Sequence, residues 1–166
     1  LDPGDDDDKS MLPKPVRSGP KPSWVELPLA LQGDGVCEIV LSYIRNDKKS
    51  VNAGQIAIIV ADNKRAEFYL KALRLHDLPA QIVGKGRPIL LNGSCVHIVT
   101  AHSSKGLGFP IVIVPDVHSD FYPSRISLAQ CIDDQQKEQV FENQQRVLYV
   151  ALSRASSFLH MVVDPH

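Results

Sequence analysis

The sequence predicts an α/β fold in which a mainly parallel sheet is covered by helices on both faces. Three observations carry that expectation. Strand-length apolar runs alternate along the chain with segments whose apolar residues recur at i, i+3, i+4 and i+7, the helical period. Several of the runs, Ile56 to Ala61 and Ile111 to Pro115 among them, are apolar on both faces, as strands inside a parallel sheet are. The 166 residues, 43% hydrophobic and 22% charged, suffice for one domain with a real core and do not resemble a disordered chain.

Each element follows from a local signal. The start of the chain is set aside: Asp5-Asp6-Asp7-Asp8-Lys9 reads as an enterokinase cleavage site followed by Ser10-Met11, so residues 1–11 are expected to be an expression-tag remnant. Residues 12–22 are rich in proline and form an expected arm or linker, and residues 23–166 the expected domain. Ser23 to Leu27 reads as a short strand. Asp34 is an expected N-cap for a helix running to about Lys49, with Val36, Ile39, Val40 and Tyr43 on its apolar face. Gln55 to Val60 is a strand. Asp62 caps a second helix carrying Ala66, Tyr69, Leu70 and Leu73. Leu78 to Val83 is a short strand that ends in the loop Gly84-Lys85-Gly86-Arg87-Pro88.

The alternation then repeats. Val96 to Thr100 is a strand, Ser103 to Gly108 a loop, and Pro110 to Val114 a β-branched strand. A polar stretch runs from Asp116 to about Gln135. Gln136 to Ser153 is a long helix, with Asp133-Asp134 at the positive end of its dipole, and Phe158 to Val163 a last strand.

Composition bounds the function. No apolar run approaches the ~20 residues of a membrane span. The three cysteines, Cys37, Cys95 and Cys131, are too scattered for a disulfide framework or a metal knuckle, and point to a reducing, cytoplasmic location. The six histidines show no metal-binding spacing, so no metal site is expected. Without the tag remnant, 17 basic residues face 14 acidic ones. This mild excess permits a nucleic-acid partner without demanding one.

Two segments carry chemistry. In Thr100-Ala101-His102-Ser103-Ser104-Lys105-Gly106-Leu107-Gly108-Phe109-Pro110, a strand ends in small and polar residues, a lysine and glycines. Small residues let backbone N–H groups approach phosphate oxygens, and Lys105 adds a point charge. A tight loop with a solvated lysine is the plain alternative. The second segment, Glu142 to Ala155, turns from polar to strongly apolar and ends with Arg154 among core-like residues. Such an arginine usually takes an anionic partner; the plain alternatives are a salt bridge to a carboxylate inside the domain and a guanidinium snorkelling off the helix end.

Together and in this order the segments resemble motifs V and VI of UvrD/Rep-type superfamily 1 helicases. Thr100, His102, Lys105, Gly106, Leu107, Phe109 and Pro110 match a motif V of the form T-x-H-x-x-K-G-L-E-F-P. Glu142, Arg146, Leu148 to Leu152, Arg154 and Ala155 match motif VI, with Ser153 replacing a threonine. The unit from Ile56 to Leu73 is similar to motif IV, and the resemblance extends to Val163.

The resemblance implies the second, C-terminal RecA-like domain of such a helicase, in the compact form without the large insertion between motifs IV and V. It implies ATP and Mg²⁺ as cofactors of the whole protein, with single-stranded DNA and an N-terminal RecA-like domain as partners; RNA is a second candidate strand. Arg154 is implied as an arginine finger, Lys105 and Gly106 as nucleotide neighbours, and Thr100 and His102 as strand contacts. Tyr149 is expected to pack the motif VI helix, and Glu142 and Arg146 to pair at i, i+4. There are departures. Gly108 stands where the family has a glutamate. Ala61 stands where it often has an arginine, with Lys64 and Arg65 as substitutes, so Arg65 joins the expected nucleotide contacts. The chain has no GxxxxGK[ST] loop, and alone it is expected to hydrolyse no ATP. The alternative function is an interaction or regulatory module without ATP turnover.

Overall fold

The computed structural model describes residues 19–46, 51–84, 89–118, 121–122 and 125–165, with Ile126 described by its backbone only. Their strands form a six-stranded sheet of order β1-β6-β5-β2-β4-β3, in which all five pairings are parallel. The strands are β1 (Ser23–Glu26), β2 (Ile56–Val60), β3 (Ala80–Ile82), β4 (Val96–Thr100), β5 (Phe109–Val117) and β6 (Ala155–Val163). The helices are α1 (Leu29–Ile44), α2 (Asn63–Leu75), α3 (Arg125–Ala129) and α4 (Asp134–Leu152). The expected fold class is thus the observed one.

The alternation of side chains along each strand divides the core in two. Ile56, Ile58 and Val60 of β2, Val96 and Ile98 of β4, and Ile111 and Ile113 of β5 pack with Val36, Val40, Ala66, Tyr69 and Leu73 of α1 and α2. Ala57, Ile59, Val99, Val112 and Val114 face the other way, toward Ala151 of α4. Every residue of β2 is buried, which is why it reads as an unbroken apolar run.

Two helix boundaries differ from expectation. Helix α1 starts at Leu29, not after Asp34. Its N-cap position is Pro28, and the N–H of Leu29 donates to Oδ2 of Asp164, 2.9 Å away at the far end of the chain. That cap is invisible locally, and Gly33 and Gly35 lower the helical signal of the first turns. Asp34 sits on the helix surface and pairs at 3.1 Å with His76, the residue that caps the end of α2. The helix ends at Ile44; residues 47–49, where its end was expected, lie outside the described residues. The polar stretch after β5 holds the short helix α3, which the sequence reading missed. Asp62 and Asp133 do cap α2 and α4, accepting from the N–H groups of Arg65 and Gln136.

The segment between β3 and β4, where an insertion would fall, is short, and its described residues 89–95 pack against Gly54. The N–H of Gly54 donates to the carbonyl of Gly93 at 2.9 Å, and a Cβ at residue 54 would stand 2.2 Å from the carbonyl oxygen of Leu90. Residues 85–88, with the Lys85/Arg87 loop, lie outside the described residues.

Candidate functional site

The loop between β4 and β5 carries the chain from the carboxyl end of one strand to the amino end of the other. It crosses the α4 face, where Ala101 and Leu107 join the second core cluster. Its shape comes from its own small polar residues. The Thr100 hydroxyl donates to Ser103 Oγ (3.0 Å) and accepts from the Ser103 N–H (3.3 Å). The fully buried Ser104 donates from Oγ to the Ala101 carbonyl at 2.7 Å, and the Leu107 N–H donates to the Ser104 carbonyl at 3.0 Å. Gly106 turns the chain at φ +81°, a left-handed conformation that disfavours any side chain. His102, Lys105 and Gly106 are exposed on this loop.

Helix α4 runs beside the loop. Between them lies an open cleft of about 180 Å³ lined by Ala101, His102, Lys105, Arg146, Val147 and Val150. A contiguous shallow groove continues along α4 past Glu142, Gln145 and Tyr149.

Arg154 joins loop and helix at the amino end of β5 and β6. Its backbone carbonyl accepts from the Phe109 N–H at 2.9 Å. Its half-buried side chain donates from Nε to the Val150 carbonyl (3.0 Å), from Nη1 to the Leu107 carbonyl (3.2 Å) and from Nη2 to Ser153 Oγ (2.9 Å). All three acceptors are neutral. Neither Arg154 nor Lys105 has a carboxylate within salt-bridge distance among the described residues. The internal salt bridge that would have explained Arg154 is therefore absent among them.

The structure does not bring Arg65 to this place. Its guanidinium grips Asp116 with two bonds, Nε to Oδ2 at 2.8 Å and Nη2 to Oδ1 at 2.7 Å. It also lies 4.1 Å from the Phe68 ring centroid. Phe109 and Asp116 are seven residues apart on β5, so Arg65 and Arg154 occupy opposite ends of a strand roughly 20 Å long. Asp116 is fully buried at φ +58°; it accepts from the Tyr69 hydroxyl at 2.8 Å, and its N–H donates to Gln32 Oε1 at 2.8 Å. Burial, and after it the Asp116 charge, push the Tyr69 phenol well above its ordinary range. Read from the sequence, Asp116 began a polar loop; nothing local marks it as a buried acid.

Tyr149 does not pack α4. It is 72% exposed, because the helix buries the side that carries Ala151, and residue 149 lies on another side. Glu142 and Arg146 do form the expected pair, at 3.7 Å and well exposed.

Residues 85–164 match the family model of the UvrD-like helicase C-terminal domain. Over these residues the chain is similar to the UvrD-like helicase C-terminal domain. The cleft-forming loop, α4 and Arg154 all lie inside the matched segment. Over 69 residues, 42% of the chain, the protein is 35% identical to a probable DNA helicase II homolog of Rickettsia conorii, of which the match covers 10%. Over 66 residues it is 35% identical to the ATP-dependent DNA helicase PcrA of Staphylococcus epidermidis, covering 40% of the chain and 8% of that protein. The chain thus spans about a tenth of the curated relatives it matches. In fold it is similar to the crystal structure of the C-terminal domain of a possible DNA helicase from Lactobacillus plantarum WCFS1. That match has a TM-score of 0.63 and 24% identity over 88% of this chain and 75% of that one. No helix of the chain is long and apolar enough to cross a membrane among the described residues.

Proposed function

We propose that this domain is the second motor domain of an ATP-dependent DNA helicase or translocase, and that Arg154 serves as its arginine finger. The observation that carries the reading is the state of Arg154. A half-buried guanidinium is held by three neutral acceptors and has no carboxylate among the described residues. Guanidinium groups are buried where an anion compensates them, and here the anion would come from outside the domain.

The other residues fit the outer side of a nucleotide bound mainly elsewhere. Lys105 is exposed, and Gly106 has nothing within 4 Å of a built Cβ, so an anion can approach the loop closely. The chain lacks a phosphate-binding loop, and no cluster of His, Cys, Asp or Glu among the described residues could hold a metal ion. ATP and Mg²⁺ would therefore sit mainly on an N-terminal RecA-like domain; when bound there they supply the hydrolysis that drives the motor. Arg154 would stabilise the γ-phosphate charge, with Lys105 and Gly106 beside it. On the same loop, His102 would touch a single DNA strand, and Thr100 would hold that loop in shape while lining the strand's path.

The test is made in the whole parent protein. Arg154→Ala should lower strand-stimulated ATPase by roughly 10³-fold, the scale of other arginine fingers. Arg154→Lys should restore little, because a point charge lacks the planar fork. Near-normal turnover in the Ala variant would overturn the assignment.

A further inference from the structure

The groove along α4 has an aromatic residue for which the domain's own packing has no use. Tyr149 is 72% exposed, although the residues around it in sequence are apolar and partly buried. It stands on the same side of α4 as Glu142, Gln145 and Arg146, at helical spacing, and this groove shares Arg146 and Val150 with the cleft that His102 and Lys105 line. Lys105 and Arg146 thus line the cleft end of a surface on which Glu142, paired with Arg146 at 3.7 Å, is the one acid among the lining residues.

We infer that Tyr149 is a stacking platform for a nucleobase of a single strand whose phosphates run past Arg146 and His102. The inference rests on reading the loop side of the cleft as the nucleic-acid side. An exposed ring beside a line of cations suits a single strand, since every base has a face to stack and every nucleotide a charge to neutralise. The groove does not suit protein docking as well. Glu142, Gln145 and Arg146 interrupt its apolar surface, and Tyr149 is a single ring rather than part of a broad apolar patch.

The experiment uses the present chain and a fluorescein-labelled oligodeoxythymidine of about 12 nucleotides, within the usual span of single-strand sites, read by anisotropy at low salt. Tyr149→Ala should weaken binding by roughly 5- to 100-fold, the range of one lost base stack. Tyr149→Phe should bind within about twofold of the parent chain, because the ring that stacks is retained. The salt dependence should be unchanged in Tyr149→Ala and should fall by about one unit of slope in Arg146→Gln, since only the second removes a phosphate contact. A backbone-only oligomer of abasic sites should bind the parent chain and Tyr149→Ala equally.

Each outcome upholds or overturns the stacking role. If His102→Ala weakens binding while Tyr149→Ala does not, the stacking role falls and the loop keeps its strand contact. If only Tyr149→Ala weakens binding, the stack stands and the loop loses its role. Absence of binding at low salt overturns both. Self-association that Tyr149→Ala abolishes, without DNA binding, gives the face to a second copy of the chain.

Discussion

Arg154 donates from Nη1 to the carbonyl of Leu107, a residue 47 positions earlier, at 3.2 Å. The contact joins the end of the β4–β5 loop to the end of α4, so the two segments that match the helicase motifs meet through one side chain. With Nε on the Val150 carbonyl and Nη2 on Ser153 Oγ, each nitrogen of the guanidinium has one partner, and two of its five N–H groups have none among the described residues.

Arg154→Ala should leave the isolated domain folded. The lost bonds run to neutral acceptors at a partly exposed site, where each is worth about 1 kcal/mol at most. In a domain of this size three such bonds should lower the melting temperature by no more than about 6–12 °C, at about 2–4 °C per kcal/mol. Calorimetry checks this, and a collapse of the fold would mean that Arg154 is chiefly structural.

Breaking the Arg65–Asp116 pair should cost far more. Asp116 is fully buried and the Arg65 side chain only 19% exposed, so either truncation leaves an uncompensated charge. Arg65→Ala should lose about 3–5 kcal/mol in denaturant unfolding. Asp116→Asn, which tolerates the left-handed backbone, should also destabilise, and Asp116→Ala more so because it adds strain there.

The two glycines of the loop should behave differently. Gly106 has φ +81° with open space around it, so Gly106→Ala meets conformational strain of about 1–2 kcal/mol. Gly108 also has open space and no positive φ, so Gly108→Glu should be tolerated with little change in melting temperature. In the parent protein, Gly108→Glu should tighten ATP binding if the nucleotide lies beside this loop; equilibrium titration of both proteins decides.

His97 should make stability depend on pH. It is 1% exposed, with its ring nitrogens facing Gln81 and the Leu90 carbonyl. Burial holds its pKa below the ordinary value, outweighing the upward pull of the Leu90 carbonyl. The unfolded chain therefore binds the proton more readily, and stability is lost as pH falls through the ordinary histidine value near 6.5. His97→Gln should flatten the fall in melting temperature between about pH 7 and pH 5. An unchanged slope would show that His97 does not supply it.

Cys37 should be inert in the native protein. Burial, then the charges of Asp34 and Glu38, push its thiol up to about 11, so at pH 8 roughly a thousandth of it is thiolate. Cys95 and Cys131 are partly exposed. Titration with a thiol reagent should modify those two first, and Cys37 only as the protein unfolds.

Much of this architecture was legible because the signals were local. Buried on both faces, β2 reads as Ile56-Ala57-Ile58-Ile59-Val60, and Asp62 precedes a helical period. The loop and α4 carried dense motifs. What stayed hidden depended on residues distant in sequence. The Asp164 cap moved the start of α1 by six residues. The Asp116 pairing took Arg65 away from the loop, and no period in the sequence announces it. Tyr149 was misread because an apolar-looking helix suggests burial, while α4 buries only one side.

The Arg65–Asp116 pair also has a meaning for the sheet as a whole. From β2 the chain goes outward to β3 and β4; after β5 it goes the other way, to β6. Between these two strands, beyond their carboxyl ends, is the topological switch point, the crevice where open α/β sheets accept ligands. Here that crevice is filled from within by Asp116, the Arg65 fork, the Tyr69 hydroxyl and the Gln32 amide. The domain has plugged the pocket its topology offers, and its uncompensated cation stands at the opposite rim. A fold that elsewhere encloses a ligand is here left with a face to present to one.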